Sequence, residues 1–245
     1  MAEIKGIFFD LGGTLRIADD DPDHKRRALT RMAELAGDKA PLVFIETIEQ
    51  RYEPYRDWAL SENKEEGDFG LWKNWLLPEF PDDKLEEICH EMTYQYRQYK
   101  GLRRVVDGGV ETIRELKKRG YKLAIISNLI GENEIPDWLK ADGLDQYFDA
   151  VVLSSVTHIR KPDPEMYRIA ARELGVEVSE CVNVADNLKR DFHGAKEAGI
   201  GANIMYVDET KRGVKKLTAE TYPDYMIFRF ADLLKIPLLK DKENA

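Results

Sequence analysis

The sequence predicts an α/β protein: a doubly wound, Rossmann-like parallel sheet with an all-helical domain inserted near its start. Three observations predict it. Short apolar runs alternate with helical patterns through the second half of the chain. Each run closes on a polar residue. Residues 17–100 break that rhythm with helix-prone sequence. Strands buried on both faces read as continuous apolar runs, and their alternation with helices is the pattern of a parallel sheet.

Taken in order, the run Ile7-Phe8-Phe9 ends at Asp10 and breaks at Gly12-Gly13. Residues 123–126 end at Ser127-Asn128, residues 150–153 at Ser154-Ser155, residues 182–185 at Asp186, and residues 204–207 at Asp208. Between them lie helices with clear ends. Val110, Ile113 and Leu116 mark one helical face that stops at Gly120. Asp163 reads as an N-cap with Pro164 at the first helical position, and Gly175 suits the stop. A helix carrying Gly194, Ala195 and Ala198 ends near Gly199. The core domain is therefore expected over residues 1–16 and 101–245. Residues 17–100 hold no strand by this reading and are expected to form a helical cap domain. Its Trp58, Trp72 and Trp75 are expected to pack cap helices against one another. The last ten residues, ending in Lys240-Asp241-Lys242-Glu243-Asn244-Ala245, read as a solvated tail.

Composition bounds the function. The 245 residues suffice for a core domain and a smaller one, and 43% hydrophobic with 34% charged residues is a globular balance. A net charge of −9 argues against a general nucleic-acid binder. It leaves room for a local patch that holds one phosphate. Cys89 and Cys181 form no disulfide or metal pattern and read as free thiols of a reducing compartment. The N-terminal apolar run is too short for a signal peptide, and no run approaches the ~20 residues of a membrane helix. Cytoplasm is the expected location. Oligomeric state leaves no readable mark.

Ligands of doubly wound sheets bind beyond the C-terminal strand ends. Asp10, Ser127 and Asp186 fall at such ends. Asp10 stands beside two glycines, where backbone can approach a ligand closely. A carboxylate is a weak nucleophile and needs its electrophile held in line and neutralised, work that suits Mg2+ with hard oxygen ligands. Other patterns fail. Gly199 and Gly201 lack the third glycine of a dinucleotide loop, no phosphate loop is present, and His24, His90, His158 and His193 have no zinc spacing.

Four motifs in order resemble those of the haloacid-dehalogenase superfamily, in its helical-cap branch. Phe8-Phe9-Asp10-Leu11-Gly12-Gly13-Thr14-Leu15 is similar to the first, and Ile125-Ile126-Ser127-Asn128 to the second. Arg160-Lys161-Pro162-Asp163-Pro164 is similar to the third. Val184-Ala185-Asp186-Asn187, with Asp191 and Gly194-Ala195, is similar to the fourth. The resemblance covers residues 4–20 and 105–230; the cap matches only by position and helical character. It implies a Mg2+-dependent phosphatase acting on a small phosphorylated metabolite through an aspartyl-phosphate on Asp10. Asp10, Asp186 and the carbonyl of Gly12 would ligate the ion. Asp191 would support it through water or hold Lys161. Ser127 and Lys161 would bind the transferring group. The Leu11 amide, Thr14 and Asn128 would complete the phosphate cradle.

One position departs from the pattern. The family's phosphatases carry an acid two residues after the nucleophile, which protonates the leaving alcohol and then activates water. Here it is Gly12. An acid–base group is worth a factor of roughly 10²–10⁴ in rate. Three outcomes follow: good leaving groups such as aryl or acyl phosphates still react, a neighbour substitutes from Asp19, Asp20, Asp21, Asp23 or His24, or the chain binds phosphate and turns over poorly. The alternative readings are a regulatory phosphate binder, a dehalogenase, or a phosphonate-cleaving enzyme that uses Lys25, Lys39 or Lys64.

Overall fold

The computed structural model describes residues 2–208 and 222–240. The main sheet has six strands, all parallel, in the order β5-β4-β1-β6-β7-β8. They are β1 Gly6–Phe9, β4 Lys122–Ser127, β5 Ala150–Leu153, β6 Cys181–Ala185, β7 Ala202–Tyr206 and β8 Tyr225–Ile227. The first five are the apolar runs read from the sequence. The sixth escaped it, because Tyr225-Met226-Ile227 is short and leaves Met226 exposed at the sheet edge.

Side chains alternate between the two faces of the sheet. Ile7 and Phe9 of β1 join Leu123, Ile125, Val182 and Val184 on one face, packed under α5 (Gly109–Lys118). Phe8 joins Ala124, Ile126 and Val152 on the other, covered by Met166, Tyr167 and Ala170 of α8 (Glu165–Leu174). The remaining core helices are α6 Glu134–Ala141, α7 Ser154–Thr157 and α9 His193–Ala198. Gly120, Gly175 and Gly199 follow helices with left-handed φ, as read from the sequence. At the start of α8 the boundary moves by one residue: Pro164 is the cap position, and the Asp163 side chain accepts from the Glu165 amide at 2.9 Å.

A second sheet corrects the expectation that residues 17–100 hold no strand. β2 (Arg16–Asp19) pairs antiparallel with β3 (Leu102–Val105), in register Arg16↔Val105 and Ala18↔Arg103. Neither segment has an apolar run, because one side of this ribbon is exposed. Between the two strands lie α1 Pro22–Ala36, α2 Pro41–Glu62, α3 Asp68–Leu71 and α4 Asp82–Tyr99. They enclose their own apolar cluster, with Met32, Ile48, Tyr55, Trp72, Leu85 and Met92 fully buried. Trp72 Nε1 donates to Thr93 Oγ1 at 2.8 Å, and Trp58 lies against Trp75 at 5.3 Å between ring centres. The tryptophans thus pack these helices.

The expected tail is also corrected in part. Ile236 and Leu239 are buried in the core, and Arg119 Nη1 donates to the carbonyls of Leu234 at 3.0 Å and Leu239 at 2.7 Å. Spacing of three between two apolar residues, not polarity, was the signal. Residues 241–245 lie outside the described residues. Among the described residues no helix is long and apolar enough to cross a membrane.

Candidate active site

Phe9 stands in register with Ile125 of β4 and Val184 of β6, so Asp10, Ser127 and Asp186 emerge at one end of the sheet. The strand order reverses at β1, which makes this end the topological crevice. Asp10 is 2% exposed, and its amide donates to Val184 O at 3.0 Å. Its Oδ1 accepts from Lys161 Nζ at 2.7 Å. Its Oδ2 accepts from Arg190 Nη2 at 3.1 Å and lies 3.4 Å from Thr14 Oγ1. Burial pushes the carboxyl of Asp10 up, but the cations of Lys161 and Arg190 outweigh it, with help from the Leu11 amide. Asp10 is therefore held below the usual carboxylate range and ionised.

Lys161 is set by its backbone. Asn128 Oδ1 accepts from the Lys161 amide and Asn128 Nδ2 donates to the Lys161 carbonyl, both at 2.8 Å. The ammonium then reaches Ile126 O at 2.8 Å, Asp10 Oδ1, and Asp191 Oδ1 at 2.5 Å. The Asn128 side chain is therefore engaged by the Lys161 peptide, and the residue lines the cavity beside it. α9 approaches this segment closely. A Cβ on Gly194 would fall 2.1 Å from Pro162 O, so only glycine fits there.

Asp191 lies on a wide helical turn, Leu188–Phe192, capped by Asn187 accepting from the Arg190 amide at 3.0 Å. Its carboxylate is fully buried. Lys161 at 2.5 Å and Arg190 at 3.2 Å pair with its two oxygens. Burial, then the charge of Asp10, raise its pKa against the pull of Lys161 and Arg190. Tyr167 OH donates to the Asp191 carbonyl at 2.7 Å from beneath.

The carboxylates of Asp10, Asp186 and Asp191 bring oxygens within 4.8 Å of one another. Three hard anionic donors at that spacing, one from each carboxylate, fit a divalent cation such as Mg2+ or Ca2+. Gly13 makes the approach of Asp186 possible: its φ is +85°, and a Cβ would meet Asp186 Oδ2 at 2.9 Å. Gly12 differs. Its backbone is not left-handed, and a Cβ would meet nothing within 4 Å.

Arg190 was not singled out by the sequence reading. Its Nη2 lies 3.1 Å from Asp10, 3.2 Å from Asp191 and 4.0 Å from Asp186. The available signal was spacing: four residues after Asp186, a helical turn brings the two together. Burial would lower its pKa, but Asp191, Asp10 and Asp186 raise it, so it stays charged.

These residues open into a cavity of 390 Å³ lined by Asp10, Leu11, Gly12, Ser127, Asn128, Asp186 and Arg190 at the base, and by Arg16, Arg97 and Arg103 at the side. None of the acids proposed to stand in for Gly12 lines it. Asp19 pairs with Arg104 at 2.9 Å, Asp20 with Lys25, Asp23 with Arg26 at 2.9 Å, and Asp21 caps α1. His24 meets Gln98 Oε1 at 3.1 Å. Lys39 and Lys64 are exposed elsewhere, so no lysine from residues 17–100 enters the cavity.

A haloacid dehalogenase-like hydrolase family model matches residues 4–199. A protein named pyrophosphatase PpaX from Bacillus velezensis is 37% identical over 160 residues, covering 63% of this chain and 71% of that one. A glyceraldehyde 3-phosphate phosphatase from Pyrococcus furiosus is 31% identical over 144 residues, covering 58% and 57%. Among solved structures, a 2-haloacid dehalogenase from Pseudomonas syringae pv. Tomato aligns over 95% of this chain and 97% of its own, with a TM-score of 0.70 and 22% identity. That last likeness is one of fold. With most of its length matched and its motif residues gathered at one crevice, the chain belongs to the haloacid dehalogenase-like hydrolases.

Proposed function

We propose that this hydrolase is a magnesium-dependent phosphatase acting on a small phosphorylated metabolite in the cytoplasm, with Asp10 as nucleophile. The observation that carries this reading is the Asp10 carboxylate itself: buried, ionised by Lys161, and set within 4.8 Å of two further carboxylates that could share a metal ion with it. Relatives named for pyrophosphate and for glyceraldehyde 3-phosphate support a phosphorylated substrate. Asp10 and Asp186, with the Gly12 carbonyl, would hold Mg2+, and Asp191 would support it. The ion would neutralise charge on the transferring group. An Asp10 oxygen forms the new bond to phosphorus while the leaving oxygen departs with its electron pair. A water oxygen then bonds to phosphorus as the bond to Asp10 breaks; the water proton leaves with the released phosphate, and Asp10 returns to its carboxylate. Ser127, Thr14 and the Leu11 amide donate to the phosphoryl oxygens, and Lys161 faces their developing charge. Asn128 acts by positioning Lys161. Residues 17–100 form the cap over a core of residues 1–16 and 101–245, and gate the cavity.

The test is turnover of p-nitrophenyl phosphate with Mg2+ and with EDTA. Turnover should need the ion, and Asp10→Asn should lower kcat by more than about 10⁴-fold, as expected when a nucleophile is removed. Equal turnover in EDTA, or an active Asp10→Asn enzyme, sinks the reading.

One observation favours a second reading. Arg190 reaches all three carboxylates, the place a metal would take, and Gly12 offers no acid. A metal-free site of that kind suits halide displacement, in which the Asp10 oxygen bonds to carbon and halide leaves with its pair, needing no proton. Halide release from 2-chloropropionate in EDTA would support it.

A further inference from the structure

The side of the cavity carries a second cluster that the phosphatase reading does not use. Arg16 of β2, Arg97 of α4 and Arg103 of β3 converge on Glu134 of α6. Arg16 Nη1 donates to Glu134 Oε1 at 3.2 Å, Arg97 Nε donates to Oε2 at 2.8 Å, and Arg103 Nη1 stands 4.0 Å from Oε1. Among the described residues Glu134 is the one carboxylate in ion-pair contact with these three, which leaves two positive charges in surplus. The arginines are well sheltered, with side chains 5%, 20% and 12% exposed. The Arg16 guanidinium lies over the Trp138 ring at 4.3 Å, and its buried Nε–H has no acceptor. Burial and then the charge of Arg97 pull the Arg103 guanidinium down to about 10. Arg103 Nη1 also donates to the carbonyls of Arg97 and Gly101, at 2.5 and 3.1 Å, so the three guanidiniums are held in place around a single carboxylate.

We infer that Arg16, Arg97 and Arg103 bind a second anionic group of the substrate, so that the preferred substrates are phosphoanhydrides such as pyrophosphate or an acyl phosphate. This rests on the phosphatase reading and explains its anomaly. When the P–O bond to such a leaving group breaks, the departing phosphate or carboxylate keeps the pair as an anion and needs no proton. Arginines that neutralise it take over the first task of the missing acid at Gly12. Gly12 lines the same cavity, and a Cβ there would meet nothing within 4 Å.

The test compares calorimetric binding of methylenediphosphonate and methylphosphonate, with Mg2+ present, to the full chain and to Arg103→Met. Arg103 is the clean target, because Glu134 keeps its two hydrogen-bonded arginines when it is removed. The wild type should hold the diphosphonate about tenfold or more tighter, the scale of one charge-assisted contact. Arg103→Met should erase that preference and leave methylphosphonate unchanged, and Arg103→Lys should retain part of it. No preference in the wild type, or equal loss of both ligands in Arg103→Met, overturns the inference. Turnover separates the two readings. A diphosphonate preference without hydrolysis of any phosphate ester removes the phosphatase and keeps the anion site. Hydrolysis of p-nitrophenyl phosphate without that preference does the reverse.

Discussion

Two buried charge clusters share one cavity and are built in opposite senses. At its base, Asp10, Asp186 and Asp191 outnumber Lys161 and Arg190. At its side, Arg16, Arg97 and Arg103 outnumber Glu134. A buried ion pair is costly unless its partners match, and neither cluster matches within itself. The base gathers carboxylates around two cations, and the side gathers guanidiniums around one carboxylate. The contrast matches the two proposals made for them: a metal ion at the base, a second anionic group at the side. The clusters also differ in origin. The base comes from strand ends and the turn after β6. The side is drawn from the ribbon, α4 and α6, so it depends on how the inserted helices dock.

The largest way to sharpen the contrast is to give the gap between the clusters an acid. Gly12→Asp should raise kcat for alkyl phosphates by up to about 10²-fold, the lower end for a general acid–base group. Aryl phosphates and pyrophosphate, whose leaving groups need no proton, should gain only what the new carboxylate adds by activating water against the aspartyl-phosphate. The site admits a side chain, since the backbone of Gly12 is not left-handed and its surroundings are open. A folded variant that binds Mg2+ and shows no gain on alkyl substrates would mean that protonation was never limiting.

Breaking the base should have an effect of comparable size. Asp186→Asn should weaken Mg2+ binding by more than about 10- to 100-fold, the loss typical of an outer-shell partner, because a charged ligand itself is gone. Manganese titration followed by paramagnetic relaxation reads this directly. Unchanged affinity would show that Arg190 already satisfies the three carboxylates.

The smallest effect probes the side. Burial pushes the Glu134 carboxyl up, but Arg97, Arg16 and Arg103 outweigh it and hold it below its ordinary value. A lowered carboxyl contributes stability that is present above its unfolded pKa, near 4.5, and lost as pH falls through the folded value. Urea unfolding of the wild type should therefore weaken with acid between about pH 5 and pH 3, and Glu134→Gln should flatten part of that slope. Identical slopes would place Glu134 outside the acid response.

The sequence revealed one of these clusters and hid the other, for a physical reason. Asp10, Ser127, Lys161, Asp186 and Asp191 sit at the ends of apolar strands or helix starts, so local pattern alone marks them. The structure brings all five to one crevice. Arg190 lay inside the same segment but reads as one more surface cation until the Leu188–Phe192 turn points it inward. Arg16, Arg97, Arg103 and Glu134 are scattered along the chain and have no common spacing. Only the antiparallel pairing of β2 with β3 and the docking of α4 assemble them. That ribbon was invisible because half of it faces water and its sequence lacks apolar alternation. Asn128 shows a subtler failure: its place in a motif was legible, but its use of both amide atoms on the Lys161 peptide was not.

The ribbon has a kinetic consequence. Pairing Arg16–Asp19 with Leu102–Val105 closes a loop made of everything from residue 20 to residue 101. Loop closure costs entropy that grows with the length enclosed, and contacts so distant in sequence form slowly unless the intervening chain has already shortened itself. Helices α1 to α4 can do that, since they share an apolar cluster of their own. The ribbon should then join late, bringing Arg16 and Arg103 together only after the helices have condensed. In refolding followed by pulsed hydrogen exchange, amides of α1 and α4 should gain protection before those of residues 16–19 and 102–105. A ribbon protected first would mean that the strands pull the helices into place.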